Sequence, residues 1–556
     1  MNHTHHTGSA SRARHVLAVA AAMLASQAMA AEIDTGIPDL KVIWDNTVKY
    51  SNMTRLHAPS PGLSRTMTGP AGIIGANNLN QDDGDNNFGK GIVSNRVDLF
   101  SELDISSGNF GARASAAAWY DSAYNRATDN ATASSNHVPA SQFPDQTRAL
   151  MGRKAELLDA FVSGRFVLGE APVSVRLGRH TLLWGESLFF GGNAIAGGQA
   201  PLDLVKAISV PNSQTKEILR PTGKLSAQVQ LSSEIAVSAY VNYDWEKTRL
   251  VPVGAYLSAS DGLGPGAERI SAGPIGVLTR EHDLDARNGG QGGVQLRWRA
   301  EAIDTDFGFY AIRYNATGPS NLLQTLSGRP PALKAVSYRW VYAEGIRALG
   351  ASFAKSLGDW SLAGETSVRS NAPLSSSGQA VIPAIGVGVN YDNRDNPGYA
   401  VGKTAHAQFS WLASLSPNMI ATESSFLGEI AWNRRLSVTL NAQMLNPNAD
   451  RDATAMRMVF APTYRQVSNG LDLSPSIGAG YAWGKSSALG PSFGVNKGGD
   501  VNLGLSAVYL GKWTAAVNFV HYVGKEGPPL DNNANAQFTQ ALRDRDFLTA
   551  SIRTTF

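Results

Sequence analysis

Apolar and polar residues alternate one for one in segment after segment from about residue 93 to the carboxyl terminus. That period of two decides what the chain can become. Leu225, Ala227, Val229 and Leu231 alternate with Lys224, Ser226, Gln228 and Gln230. After a tight turn at Ser232-Ser233-Glu234, Ile235, Val237, Ala239, Val241, Tyr243 and Trp245 alternate with Ser238, Asn242 and Asp244. Ala405, Ala407, Phe409, Trp411 and Ala413 oppose Thr404, His406, Gln408 and Ser410. Leu436, Val438, Leu440, Ala442 and Met444 oppose Arg435, Ser437, Thr439, Asn441 and Gln443. Alternation of this kind is a strand with one apolar face. Each segment is close to the ~10 residues that a tilted strand needs to cross a hydrocarbon layer.

The connections alternate too. Very tight turns are expected at Ser107-Gly108, Gly169-Glu170, Ser233, Gly358-Asp359, Asn433 and Gly511-Lys512. Long polar connections separate those hairpins at 124–154, 184–221, 246–290, 314–345 and 524–545. Short turns at one end and long loops at the other characterise outer-membrane barrels. A soluble sandwich has no need of a long loop at every second connection. Aromatic residues near strand ends, such as Tyr509 and Trp513, fit an interfacial girdle. In lipid an open sheet edge would leave unpaired backbone groups, each costing several kcal/mol, so the sheet must close. The sequence therefore predicts an all-β transmembrane antiparallel barrel of about 18 strands, within roughly 16 to 20, because the number is even. A candidate extra strand is 380–391, and one or more long loops are expected to fold into the lumen.

The amino terminus reads as an export signal. Arg12, Arg14 and His15 precede an apolar stretch from Val16 to Ala25, and Ala28-Met29-Ala30 precedes Ala31 as a cleavage site. Residues 1–30 are then the signal peptide, 31–92 an amino-terminal segment (periplasmic, plug-like or a first strand) and 93–556 the barrel. No stretch reaches the ~20 apolar residues of a membrane helix. Localisation in the outer membrane of a Gram-negative cell is the expectation. Cysteine is absent, so neither a disulfide nor a thiolate metal site can form. The net charge of +3 drops to +1 without Arg12 and Arg14, and no basic stripe for nucleic acid is present.

Charged residues on the polar faces are candidates for the wall of a water-filled lumen: Arg176, Arg297, Arg299, Glu365, Arg369, His406, Arg435 and Arg553, with Glu186 from a loop. The stretch "GRHTLLWGESLFFGGNAIAGGQAPLD", Gly178–Asp203, leaves a strand and runs through glycines and aromatics toward a short helix near Leu202–Ile208. It is either a constriction loop or an ordinary loop packed on its own aromatics. "NQDDGDNNFGKG", Asn80–Gly91, offers Asp82, Asp83, Asp85 and Asn87 as hard oxygen ligands. Counted from Asp83, however, Phe88 and Ser94 occupy the positions where a calcium loop needs Gly and an acid, so the stretch reads as a solvated turn. His57, His137, His180, His282, His406 and His521 sit in no G-x-S-x-G or H-E-x-x-H pattern. The Gly-rich 261–276 lacks the Lys-Ser/Thr of a phosphate loop. No catalytic residue, cofactor site or metal site is assigned.

The blocks "DNNFGKGIVSNRVDLFSELDI", "GRKAELLDAFV", "GRHTLLWGESLFF", "YDWEKTRLVPVGAYLSASDGLGPG" and "SFAKSLGDWSLAGETSVRSNAPL" resemble a proteobacterial outer-membrane family catalogued as a domain of unknown function, number thirteen hundred and two. The resemblance runs through nearly the whole chain after the signal. It implies company with a periplasmic lipid carrier and an inner-membrane exporter, hence traffic of small hydrophobic or lipid-like molecules. It carries no functional residues. The function expected is an outer-membrane channel for such cargo. The alternatives are a non-conducting docking component for a periplasmic carrier, or an outer-membrane lipid-modifying enzyme. Outer-membrane lipids and the barrel assembly machinery are the remaining expected partners, with Phe556 closing the last strand as the assembly signal.

Overall fold

The computed structural model describes residues 31–64, 80–132, 135–417, 419–531 and 535–556. The expected signal peptide, with Ala30, lies outside the described residues. Eighteen strands form one barrel: β1 (Leu40–Arg55), β2 (Gly91–Ser107), β3 (Phe110–Asp121), β4 (Arg153–Leu168), β5 (Ala171–His180), β6 (Thr222–Gln230), β7 (Ile235–Asn242), β8 (Gln291–Ala300) and β9 (Thr305–Tyr314). The other nine are β10 (Ile346–Leu357), β11 (Trp360–Pro373), β12 (Val401–Leu415), β13 (Glu423–Leu440), β14 (Asp452–Ser468), β15 (Leu471–Gly484), β16 (Gly498–Tyr509), β17 (Trp513–Val523) and β18 (Phe547–Thr555). Each pairs antiparallel with its sequence neighbours, and β18 closes on β1 from Thr47↔Thr555 to Arg55↔Phe547. Phe556 extends that seam, exchanging both backbone hydrogen bonds with Asn46 at 2.7 and 2.9 Å. No barrel edge is left unpaired, as a sheet in hydrocarbon requires. The first stave, β1, lies inside the segment 31–92, and Ala31–Ile33 folds back along its base.

Alternation sorts the two faces. Val241, Leu349 and Ile477 are 62, 67 and 51% exposed on the outer face, which places them against lipid rather than in a protein core. Trp298 stacks on Phe307 and Trp360 meets Phe426 near the short-turn end, while Tyr481 and Trp483 pair near the other. Two-residue turns join β2–β3, β4–β5 and β10–β11, with Gly108, Gly169 and Gly358 first in each at φ +53, +65 and +56°. That position needs a left-handed residue for the turn to match the strand twist.

Three expected boundaries move, the first being β7, which stops at Asn242, short of Tyr243 and Trp245. Asn433 is no turn: β13 runs through it, and the turn lies at 416–422. Asn433 is polar because it faces the lumen, where its amide bonds Asn193 and its carbonyl accepts from Ser486. The same strand stops at Leu440, since Asn441 turns left-handed (φ +55°) into a short turn of helix over Ala442–Met444. The candidate strand 380–391 is not a stave. Only Gln379–Val381 is extended, as one edge of a separate five-stranded sheet at the long-loop end. That sheet also takes Asn321–Ser327, Lys334–Val341, Val277–Arg280 and Arg269–Ser271 from two other loops. Ile270, Leu278, Leu322, Leu326, Tyr338 and Ile382 form its core.

Candidate functional site in the barrel lumen

The third long loop, residues 181–221, leaves β5 and crosses the barrel interior before entering β6. Its entry is set by Trp184, which is buried edge-on against Tyr240 of β7 at 5.1 Å and faces Tyr310 of β9. Gly185 follows at φ +93°, and a β-carbon there would strike the Glu365 carboxylate. Glycine is needed for both reasons.

From this point the wall grips the loop by its backbone. Glu365 of β11 accepts the N–H groups of Glu186 (2.8 Å) and Ile195 (2.6 Å). Glu429 of β13 accepts Ser187 Oγ (3.1 Å) and the N–H groups of Leu188 (3.0 Å), Phe190 (3.1 Å) and Phe189. One nitrogen of Arg369 donates to the carbonyls of Gly192, Asn193 and Ala194. Asn193 Oδ1 lies 2.9 Å from His406 Nδ1, whose Nε2 reaches Thr404 Oγ1 at 2.8 Å. Charged side chains hydrogen-bonded to several backbone groups are strong anchors, and in a buried setting they fix a single conformation.

The second half is held differently, by loop side chains on the opposite wall. Val205–Ser209 forms a single helical turn that carries Lys206. Its Nζ donates to Asp98 of β2 (2.8 Å) and Glu217 (3.3 Å) and lies 4.8 Å from the Trp119 ring. Arg96 pairs with the same Asp98 and stacks over the same ring at 4.7 Å. Lys216 pairs with Glu102, Asn212 Nδ2 bonds Ser551 Oγ (2.6 Å), and Lys49 Nζ donates to the Pro211 carbonyl (3.1 Å). Below this half, a cavity of about 610 Å³ opens among Asn212, Gln214, Lys216, Ser506, Thr514 and Arg553.

The residues singled out from sequence fall into two groups. Arg176 and Arg297 stand exposed on the inner face of the wall, and Arg553 lines the cavity. Arg299 sits at the short-turn rim, neutralised by Asp304 and Asp306. Arg435 lies near the long-loop end, where Arg451 Nε donates to its carbonyl. Glu186, Glu365, Arg369 and His406, by contrast, are the clamp between loop and wall. Sequence reasoning passed over Glu429, Asn193, Asp98, Glu102 and Lys206. Period two does place Glu429 on the same face as Asn433, but nothing local shows that its partner lies some 240 residues earlier.

His180 joins Ser226 rather than the clamp: Nε2 is 2.8 Å from Ser226 Oγ, and Nδ1 is 3.1 Å from the Gly178 carbonyl. The carbonyl can only accept, so Nδ1 carries the proton and, in the neutral ring, the hydroxyl donates to Nε2. This is a hydroxyl–imidazole contact without a carboxylate to orient it, and both residues are buried. The stretch 80–91, expected to be a solvated turn, is instead interior. Asp82, Asp83, Asp85 and Asn87 are all buried, because the second, fourth and ninth loops pack over them.

A closed antiparallel 18-stranded barrel with an apolar outer face and an inner loop clamped across its bore is a barrel of the outer-membrane type. The chain belongs to the family described as "Protein of unknown function (DUF1302)", whose model matches residues 11–556. Comparison with curated proteins gives no match. Among solved structures, the chain is similar to Acinetobacter baumannii OccAB1, with 10% identity, 95% of this chain and 99% of that one covered, and a TM-score of 0.43. It is similar to OccAB3 of the same organism, with 9% identity, 94% and 100% covered, and a TM-score of 0.43. Pseudomonas aeruginosa OccK9 (OpdG) shows 8% identity, 93% and 98% covered, and a TM-score of 0.40. At these values no residue role is carried across.

Proposed function

We propose that this chain is an outer-membrane channel whose bore is narrowed by its third loop, and that its cargo is a small amphipathic molecule with an anionic group. The observation that carries the reading is the clamp: Glu365, Arg369, His406 and Glu429 hold the loop inside the lumen through its backbone. A loop held this way leaves a fixed, narrow path beside it. The cavity below the loop's second half is lined by amides, hydroxyls, Lys216 and Arg553. A wholly apolar cargo would desolvate these groups without replacing their hydrogen bonds, whereas a carboxylate or phosphate headgroup would pair with them. Cargo with an apolar body and an anionic head fits both this lining and the lipid-like traffic that the family resemblance implies. A periplasmic carrier and an inner-membrane exporter are the partners that such traffic needs. Phe556, at the end of the closing strand, is read as the signal for the barrel assembly machinery.

Planar-bilayer recording of the purified full chain tests the channel. Steady unitary steps are expected, reduced by octanoate and unaffected by octanol at the same concentration. Arg553→Ser should keep the steps and lose most of the octanoate block. A silent bilayer, with the Glu429→Ala variant silent as well, would support the docking reading in place of a channel.

A further inference from the structure

At the long-loop end, far from the clamp, three carboxylates meet in the interior. Asp82 and Asp83 come from the first loop (56–90) and Asp261 from the fourth (243–290), each at most 2% exposed. One oxygen of each lies within 4.8 Å of the others. Asp83 accepts Asn130 Nδ2 at 3.2 Å and the Asn136 N–H at 2.9 Å, while Asp82 accepts Asn86 Nδ2 at 2.9 Å. Asp261 Oδ2 accepts the Asp83 N–H at 3.3 Å. Its Oδ1 is equally buried and, among the described residues, has no donor.

The surroundings show what is missing. Asp85, two residues along, has the Arg55 guanidinium at 2.5 Å, and Asp544 has the same guanidinium at 3.1 Å. Among the described residues, neither Asp83 nor Asp261 has an arginine or lysine within ion-pair distance. The cations that face them are engaged elsewhere. Arg269 donates to the Ser135 carbonyl, and Arg545 donates to the carbonyls of Tyr256 and Ser258. His137 Nε2 stands 4.0 Å from Asp83, outside hydrogen-bond reach. Asp83 and Asp261 are thus buried with no arginine or lysine paired to them among the described residues, which is costly for carboxylates, and the orphan oxygen of Asp261 adds to that cost. Hard oxygen donors gathered in this way suit a cation that prefers oxygen ligands.

We propose that Asp82, Asp83 and Asp261 bind a divalent cation of the calcium class, which ties the first loop to the fourth at the long-loop end of the barrel. The loop-local spacing that failed for Asp83 in the sequence is completed from the fourth loop, by a residue 178 positions away.

The probe is calcium chloride added to the chelator-treated full chain in detergent, read by titration calorimetry and by terbium luminescence sensitised from Tyr256 and Tyr338. One site per chain is expected, with calcium bound at least tenfold more tightly than magnesium. Protease cleavage in residues 56–90 should slow severalfold when calcium is added. Asp261→Asn should abolish both signals while the barrel keeps its β-sheet circular dichroism and its heat-modifiable gel mobility. Asp395→Asn, at an exposed acid, should retain them. Absence of a calcium signal in the wild type, or the same signal in Asp261→Asn, would overturn the proposal. Neither result touches the channel reading, which conductance decides separately.

Discussion

The two halves of the third loop solve the same problem by opposite chemistry. Residues 186–195 are held by wall side chains that bind loop backbone, through Glu365, Arg369 and Glu429. Residues 203–217 are held by loop side chains that bind wall carboxylates, through Lys206 and Lys216. In the first half the identity of most loop residues is immaterial to the grip, apart from Gly185, Ser187 and Asn193. In the second half the grip rests chiefly on two lysines, with Asn212 on Ser551 and Lys49 on the Pro211 carbonyl beside them. The buried backbone clamp and the buried Lys206 pair are little screened by salt, while the partly exposed Lys216 pair at the cavity can yield to salt or to a competing anion.

Three substitutions sharpen that contrast. The largest effect is expected from Glu429→Ala, which leaves three loop N–H groups without an acceptor at about 1–3 kcal/mol each. The first half should detach, and unitary conductance should rise severalfold in bilayer recording. An unchanged conductance would mean that the loop is held by packing alone. Lys206→Met comes next. It removes one partner of Asp98, which Arg96 still holds at both oxygens, and the only ion-pair partner of the buried Glu217 among the described residues. The loss should be about 3–5 kcal/mol in denaturant unfolding, the cost of breaking a buried pair from one side. Conductance should change less than in Glu429→Ala. The smallest effect belongs to Lys216→Ala. Lys216 is 39% exposed, so its pair with Glu102 contributes on the order of 0–1 kcal/mol. Its absence should be mimicked in the wild type by 1 M salt, which screens exposed pairs and spares buried ones. A salt response equally strong in Lys216→Ala would move the sensitivity elsewhere.

Much of this was legible from the residues, for reasons of geometry. Alternation showed the staves and their two faces, since a strand turns its side chains by half a revolution per residue whatever surrounds it. Turn glycines such as Gly108, Gly169 and Gly358 marked one end of the barrel by the conformation they must adopt. The reading failed where a residue looked locally like something its partners made it not be. Asn433 resembled a turn and is a lumen contact, and Asp82–Asp85 resembled a solvated turn and is interior.

The sequence alone thus determined an all-β barrel with an apolar outside, a polar inside and long loops at one end, because those are local, periodic properties enforced by water and lipid. Only the tertiary structure decided that the loop 181–221 crosses the lumen and that Glu429 and Arg369 hold it there. It alone brought Asp261 beside Asp83. These pairings join residues about 180 to 240 positions apart. No window of sequence contains both partners, so no local pattern could announce them.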